Sequence, residues 1–215
     1  MGAGTVGRPV TGGLGVFGGT FDPIHLAHLA VAESARDSLG LARVLFIPAG
    51  VPPHKPGQPI TPAPDRLAMV EAAIAGNPAF EASRIELDRP GPSYTVDTLE
   101  ALAVSDPDLV LILSSEAYAG LPSWHEPRRV LELARLAIAP RDGYPDTGPE
   151  LVARHYPGLE DRVVVLDGPR IRLSASELRT RAATGRSLRY LVPDAVADYI
   201  GDHGLYRTTR RDDRS

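Results

Sequence analysis

The chain has 215 residues and a mass of 22.9 kDa, a length that supports one hydrophobic core and favours a single domain. With 43% hydrophobic residues, 23% charged residues and a net charge of −4, it is neither a disordered chain nor a globally basic binder of nucleic acid. Cysteine is absent, which excludes disulfides, thiolate nucleophiles and cysteine-ligated metal clusters.

The sequence carries no recognisable membrane or export signal. No run approaches the roughly 18 apolar residues of a membrane span. The Gly-rich first thirteen residues include Arg8, with no apolar stretch of signal-peptide length behind it. We therefore expect a cytoplasmic protein with no membrane partner and no nucleic-acid partner.

Strand and helix patterns alternate along the first four-fifths of the chain. Short β-prone runs predict strands at 14–17, 44–47, 84–88, 109–113, 136–139 and 163–166. Apolar residues at helical spacing predict helices at 26–39, 66–75, 95–104 and 127–134. In the last fifth, a helix beginning near Ser176, a connection through Gly185 and a final helix at 194–203 follow.

This alternation predicts an α/β fold, a Rossmann-like doubly wound parallel sheet with a small C-terminal helical part. The run at 109–113 is too apolar to have an exposed face, as expected of a central parallel strand. We expect one domain at 14–206, between a disordered N-terminal tail at 1–13 and a disordered C-terminal tail at 207–215.

The most informative segment lies where the first predicted strand meets the first predicted helix, at residues 18–28. Gly18 and Gly19 allow backbone N–H groups to approach a phosphate closely, and the helix that follows offers unpaired amides and a positive dipole end. His25 and His28 are three residues apart and so share one face of the first helical turn. The segment predicts an anion-binding site.

A zinc site and a structural pair are the alternative roles for the two histidines. Two ligands without a third close by make a poor zinc site, and a half-buried structural pair would account for the imidazoles but not for the glycines. Anion binding accounts for both, so we expect no metal bound directly by the protein.

The run Gly-Thr-Phe-Asp-Pro-x-His-x-x-His resembles the signature of nucleotidyltransferases with the HxGH motif, with Ala27 where that family has Gly. Within them the chain is most similar to nicotinate-nucleotide adenylyltransferases, over about 14–206. The resemblance implies catalytic roles for His25 and His28. It also implies ATP contacts from the turn, namely Gly18, Gly19, Thr20 and Phe21.

Three further segments resemble parts of that family: a Pro-Pro-His-Lys loop and two segments that hold the pyridine nucleotide. Pro-Pro-His-Lys ends at Lys55, the only lysine in the chain, which is assigned to catalysis as a phosphate partner. Ser93, Tyr94, Thr95 and the single tryptophan, Trp124, are assigned to nicotinate mononucleotide. The hydroxyls could equally cap the following helix, and a lone Trp is often a core residue.

The remaining segments that resemble the family are assigned to the phosphate chain of ATP and to the residues around it. Ser174, Ser176 and Arg179 resemble the family's hydroxyl-rich helix start, where the serines would bind ATP and Arg179 would act in catalysis. An ordinary N-cap with a solvated arginine is the alternative. Glu116, in Ser114-Ser115-Glu116, stands where the family has Gly-x-Asp and is assigned to ATP, while Arg141 is assigned to the nicotinate nucleotide, with Asp142 replacing a family proline.

The resemblance implies adenylyl transfer from ATP to nicotinate mononucleotide, with Mg²⁺ as cofactor on the phosphates. The alternatives are a related transferase acting on nicotinamide mononucleotide or pantetheine phosphate, a non-catalytic nucleotide-binding module and, least supported, a nucleic-acid adaptor. Expected partners are ATP and nicotinate mononucleotide, and homo-oligomerisation is left open.

Overall fold

The computed structural model describes residues 12–53, 57, 59–141, 144 and 148–207. Of the predicted tails, residues 1–11 and 208–215 lie outside this part of the chain. Gly12 and Gly13 belong to the described part, where the Gly12 N–H donates to the Gly40 carbonyl and the Gly13 carbonyl accepts from the Ala42 N–H.

Six parallel strands form one sheet in the order β3-β2-β1-β4-β5-β6. Their bounds are Leu14–Gly19 (β1), Arg43–Pro48 (β2), Phe80–Ala82 (β3), Leu109–Ser114 (β4), Ala134–Ala139 (β5) and Val163–Val165 (β6). The predicted α/β fold with a parallel sheet is confirmed. Because the order reverses between β1 and β4, the carboxyl ends of these two strands flank the switch point where such sheets bind ligands.

Eight helices pack around the sheet in the described residues. Their bounds are Leu26–Leu39 (α1), Ala63–Ile74 (α2), Thr95–Ala103 (α3), Ser115–Ala119 (α4), Pro127–Leu133 (α5), Glu150–His155 (α6), Ala175–Ala183 (α7) and Asp194–Asp202 (α8). None of these helices combines the length and the apolar character needed to cross a membrane.

Both faces of the sheet are buried. Along β4, Val110 and Ile112 point into a core shared with α1, α2, α7 and α8, whereas Leu109, Leu111 and Leu113 point into a second core with α3 and α5. Because both sides are buried, the strands have continuous apolar runs rather than alternating ones. The C-terminal helices cover the same face as α1, which brings α7 to the switch point.

The strand predicted at 84–88 is wrong. This segment is a turn in which the N–H groups of Leu87 and Asp88 both donate to the Arg84 carbonyl, and the strand lies earlier, at Phe80–Ala82. The alternation of apolar and charged residues imitated a half-buried strand, but Glu86 is the member that is buried, with its carboxylate accepting from the Thr98 hydroxyl at 2.8 Å. The short helices α4 and α6 were not predicted, since single turns lack a measurable period.

Candidate nucleotide-binding site

A cleft of about 470 Å³ opens at the carboxyl ends of β1, β4 and β5. This is within the usual size range of small-molecule sites. It brings together eleven of the residues singled out from the sequence: Gly18, Gly19, Thr20, Phe21, His25, His28, Glu116, Arg141, Ser174, Ser176 and Arg179. Val31, Ile112, Pro169 and Ile171 give the cleft an apolar side.

The two histidine rings stack inside this cleft. Their centroids are 3.6 Å apart and their planes differ by 15°. His25 directly precedes α1 and is only 5% exposed, and its backbone N–H donates to Nδ1 of His28 at 3.2 Å. Since that bond makes Nδ1 of His28 an acceptor, the proton of the neutral ring is on Nε2.

Both imidazoles are neutral at pH 7. Burial, reinforced by the positive charge of Arg141, lowers the pKa of His25 to about 4. Burial also holds the pKa of His28 well below its usual value, with further contributions from His25 and Arg141. The pair therefore offers N–H donors rather than fixed positive charges, and an arriving polyanion would raise both pKa values.

The turn between β1 and α1 is shaped by close packing. A side chain at Gly19 would begin 3.0 Å from the ring of Phe21, so this position favours glycine. Phe21 has a left-handed backbone conformation, with φ of 48°, and its ring meets His28 edge-on at 5.1 Å. Phe21 thus lines the cleft mainly as a support for the histidines, because it is only 3% exposed.

A buried arginine, not anticipated from the sequence, connects this turn to the loop after β2. Arg66 is 1% exposed and donates to the carbonyls of Thr61, Thr20, Ala49 and Gly50. Arg66 follows Asp65 near the start of α2, where charged residues are usually exposed, so no sequence signal marked it as buried.

Asp22 is a second residue that the sequence did not single out. It is 4% exposed, and its carboxylate accepts from the Tyr206 hydroxyl at 2.7 Å and from the Thr61 N–H at 3.3 Å. Its carbonyl accepts from Nη1 of Arg179 at 2.8 Å. Asp22 lies within the segment 18–28, but its partners come from distant parts of the chain.

Arg141 lies in this cleft, although the resemblance assigned it to the nicotinate end. Its guanidinium makes a close ion pair with Glu116, which also accepts from the Tyr144 hydroxyl at 2.9 Å. Ser114, where the family has Gly, caps α4 by accepting from the Ala117 N–H at 3.2 Å. The departures from the family pattern here therefore have structural partners.

Apart from Arg141, the residues assigned to the nicotinate end lie outside the cleft in a separate region: none of Ser93, Tyr94, Thr95 and Trp124 lines it. Ser93 is buried, and its hydroxyl accepts from the N–H groups of Gly50 and Val51 at 2.9 and 3.2 Å. Its hydroxyl therefore positions the loop after β2.

Aromatic side chains cover this second region. Tyr94 stacks on His125 with ring centroids 4.3 Å apart, and the adjacent Trp124 is half-buried against the apolar core. Thr95 is the first residue of α3. Lys55 and Asp142 lie outside the described residues.

Sites at the switch point of an open parallel sheet take nucleotides, and the donors gathered here suit the phosphates of one. The fold and the site thus define a nucleotide-binding α/β protein. The family model for cytidylyltransferase-like proteins matches residues 16–181.

Relatives narrow the class. A protein of Thermomicrobium roseum named "Probable nicotinate-nucleotide adenylyltransferase" is 51% identical over 197 residues, which cover 91% of this chain and 92% of the relative. A protein of the same name from Roseiflexus sp. is 50% identical over 195 residues, which cover 90% of this chain and 98% of the relative. The chain therefore belongs to the cytidylyltransferase-like family and, within it, to the nicotinate-nucleotide adenylyltransferases.

The fold is similar to that of a solved protein, the nicotinic acid mononucleotide adenylyltransferase of Plasmodium falciparum in complex with NaAD. The TM-score is 0.74 at 18% identity, over 91% of this chain and 97% of that one. The match confirms the Rossmann-like architecture.

Proposed function

We propose that this chain transfers the adenylyl group of ATP to nicotinate mononucleotide, giving nicotinate adenine dinucleotide and pyrophosphate in NAD biosynthesis. One observation carries the proposal: a neutral, stacked histidine pair and Arg179 face one cleft at the switch point of the sheet. The family relationship identifies the mononucleotide, since relatives with about half of their residues identical carry that activity in their names.

The reaction needs no nucleophile from the protein. An oxygen of the 5′-phosphate of nicotinate mononucleotide bonds to the α-phosphorus of ATP, and the bond from that phosphorus to the bridging oxygen of the β-phosphate breaks. Pyrophosphate leaves with the electron pair. Such a transfer is accelerated by alignment and by donors placed where negative charge develops.

The site residues have distinct parts in this scheme. Nε2–H of His28 donates to the oxygens around the α-phosphorus, and His25, stacked on it, holds the ring and contacts the phosphates. Arg179 and the hydroxyls of Ser174 and Ser176 at the start of α7 take the β- and γ-phosphates. Lys55 is a further proposed phosphate partner, on the family resemblance alone.

Magnesium enters this proposal as part of the substrate MgATP. The structure groups no three His, Asp or Glu side chains suited to a metal ion within its described ranges. Among the described residues, the two carboxylates that line the cleft already have partners: Tyr206 and Thr61 bind Asp22, and Arg141 and Tyr144 bind Glu116. Mg²⁺ is commonly held by substrate phosphates and waters, and this arrangement suits such a site.

The second region is the proposed site of the pyridine ring. Trp124 and the Tyr94–His125 stack offer aromatic faces, and Thr95 begins a nine-residue helix whose free amides suit a carboxylate. The site would recognise the carboxylate of nicotinate, a group that nicotinamide lacks.

The test is pyrophosphate release from MgATP with nicotinate mononucleotide, nicotinamide mononucleotide or pantetheine phosphate, each offered alone. We expect the first to have the highest kcat/KM, with a product mass equal to nicotinate adenine dinucleotide. A preference for either of the others would replace the proposed acceptor. ATP binding without pyrophosphate release from any of them would indicate a non-catalytic module.

A further inference from the structure

Three distant parts of the chain meet at the buried carboxylate of Asp22. The residue is 4% exposed and lies in the turn between β1 and α1. Oδ1 accepts from the hydroxyl of Tyr206 at 2.7 Å, Oδ2 accepts from the N–H of Thr61 at 3.3 Å, and Nη1 of Arg179 lies 4.0 Å from Oδ2. Two donors therefore hold the carboxylate beside a guanidinium without a close ion pair.

Tyr206 reaches this carboxylate through an unusual backbone. After α8 ends at Asp202, Gly204 and Tyr206 both adopt left-handed conformations, with φ of 60° and 62°. A non-glycine residue rarely occupies this region, and it persists only where its surroundings stabilise it. Here the compensating contact is the 2.7 Å bond to a residue 184 positions earlier.

Arg179 contacts both Asp22 and the cleft. Its Nη1 donates to the Asp22 carbonyl at 2.8 Å, and its side chain lines the cleft and is 34% exposed. A guanidinium has five N–H donors in a rigid fork, so a single carbonyl leaves donors for a phosphate. A direct bidentate pair with the Asp22 carboxylate would instead occupy the fork.

We infer that Tyr206 is a positioning residue for ATP: its hydroxyl holds the Asp22 carboxylate away from Arg179 and so keeps that guanidinium available to the triphosphate. The inference rests on the proposed function, because it assigns Arg179 to ATP phosphates. It goes further in giving the C-terminal end of the described chain a part in substrate binding.

The chain provides a matched control in Tyr199. Its hydroxyl also donates to an aspartate, Asp65, at 2.9 Å, and like Tyr206 it packs against the core beneath α8. Neither Tyr199 nor Asp65 lines the cleft. Tyr206→Phe and Tyr199→Phe therefore each remove one tyrosine–aspartate bond, only one of which lies next to Arg179.

The experiment measures the Kd of MgATP by titration calorimetry, and the KM of each substrate, for the full chain and the two variants. For Tyr206→Phe we expect Kd and KM for ATP to rise about tenfold, a change of about 1.4 kcal/mol, because Asp22 turns to Arg179. The KM for nicotinate mononucleotide should stay within about twofold of wild type. Tyr199→Phe should leave both substrates unaffected.

A double variant separates positioning from a general loss of packing. In Tyr206→Phe/Asp22→Asn the uncharged amide has no ion pair to offer Arg179, so ATP affinity should recover toward wild type relative to the single variant. Unchanged ATP affinity in Tyr206→Phe, an equal loss in Tyr199→Phe, or no recovery in the double variant would each overturn the inference.

The binding arm also separates this inference from the proposed function. A wild-type chain that binds MgATP but releases no pyrophosphate would overturn the function, while the Kd comparison would still decide the role of Tyr206. A wild-type chain that binds no MgATP would overturn both.

Discussion

The cleft at the switch point and the aromatic region around Trp124 are built in different ways. The cleft is lined by residues from the first turn, from β4 and β5 and from α7, and its polar groups are held by contacts that span most of the chain. In the aromatic region, Ser93 reaches back only to Gly50 and Val51, and Tyr94 stacks on His125. In the proposed reaction, the first region provides phosphate chemistry and the second selects the acceptor.

The largest expected effect tests the cleft. His28→Ala should lower kcat by about 100- to 1000-fold, because the variant loses an N–H donor at the site of developing charge. His155→Ala is the control, since His155 is exposed on α6 and does not line the cleft. Steady-state pyrophosphate release measures both variants, with circular dichroism to check folding. A near-wild-type rate in His28→Ala would show that the cleft is not the site of the reaction.

A glycine substitution tests the second region. A Cβ at Gly50 would lie 2.3 Å from the Glu86 carbonyl oxygen, so Gly50→Ala must displace backbone. We expect the free energy of unfolding to fall by about 1–3 kcal/mol and the KM for nicotinate mononucleotide to rise, because the loop bonded to Ser93 shifts. Gly76→Ala, with no atom within 4 Å of its Cβ, should do neither. Urea unfolding measures the stability of the two variants and steady-state kinetics measures their KM values. Equal values in both variants would contradict the role of this loop in binding nicotinate mononucleotide.

The two regions should also respond to pH with opposite signs. His25 has a folded pKa of about 4 and an ordinary value of 6.5, so its neutral form favours the folded state. Its contribution is complete above pH 6.5 and is lost as the pH falls toward 4. Between pH 7 and pH 5 the loss is about 2 kcal/mol. In the second region, burial raises the pKa of Glu86, so that carboxyl favours folding at acidic pH and loses its effect as the pH rises.

Urea unfolding at pH 7 and pH 5 measures this difference. His25→Gln should flatten the dependence, whereas His155→Gln should leave it as in the wild type. The same pH dependence in His25→Gln and in the wild type would show that the histidine pair is not buried as described.

The smallest effect concerns which substrate each region binds. Trp124→Ala should raise the KM for nicotinate mononucleotide about tenfold and leave the KM for ATP within about twofold, since it removes one aromatic stack. Ile171→Ala, on the apolar side of the cleft, should have the reverse pattern. Initial rates at varied concentrations of each substrate separate the two patterns. If both variants changed both KM values equally, the division into two regions would be wrong.

The parts of the fold and site that sequence reasoning predicts well are those encoded locally. The continuous apolar run of β4 and the helical spacing at Leu26–Leu39 led to correct elements, and the glycine turn and both histidines fall in the predicted cleft. The strand at 84–88 failed because alternation cannot show that Glu86, rather than its apolar neighbours, is the buried residue.

Long-range contacts set the limit of that reasoning. Asp22 lies inside the most informative segment, yet its role depends on Tyr206 and Arg179, 184 and 157 positions later. The role of Arg66 likewise depends on its bonds to carbonyls on two loops, and that of Arg141 depends on its ion pair with Glu116. No local pattern specifies such pairs, because the topology of the sheet brings them together.

The guanidinium of Arg66 has a mechanical consequence. It bonds at once to the Thr20 carbonyl of the histidine turn, at 2.7 Å, and to the Ala49 carbonyl after β2, at 2.6 Å. One rigid, planar group thereby couples the segment proposed to bind ATP to the segment tied to Ser93. A displacement of either segment strains a hydrogen bond to the other, so a buried side chain outside the cleft sets the spacing between the two proposed substrate sites.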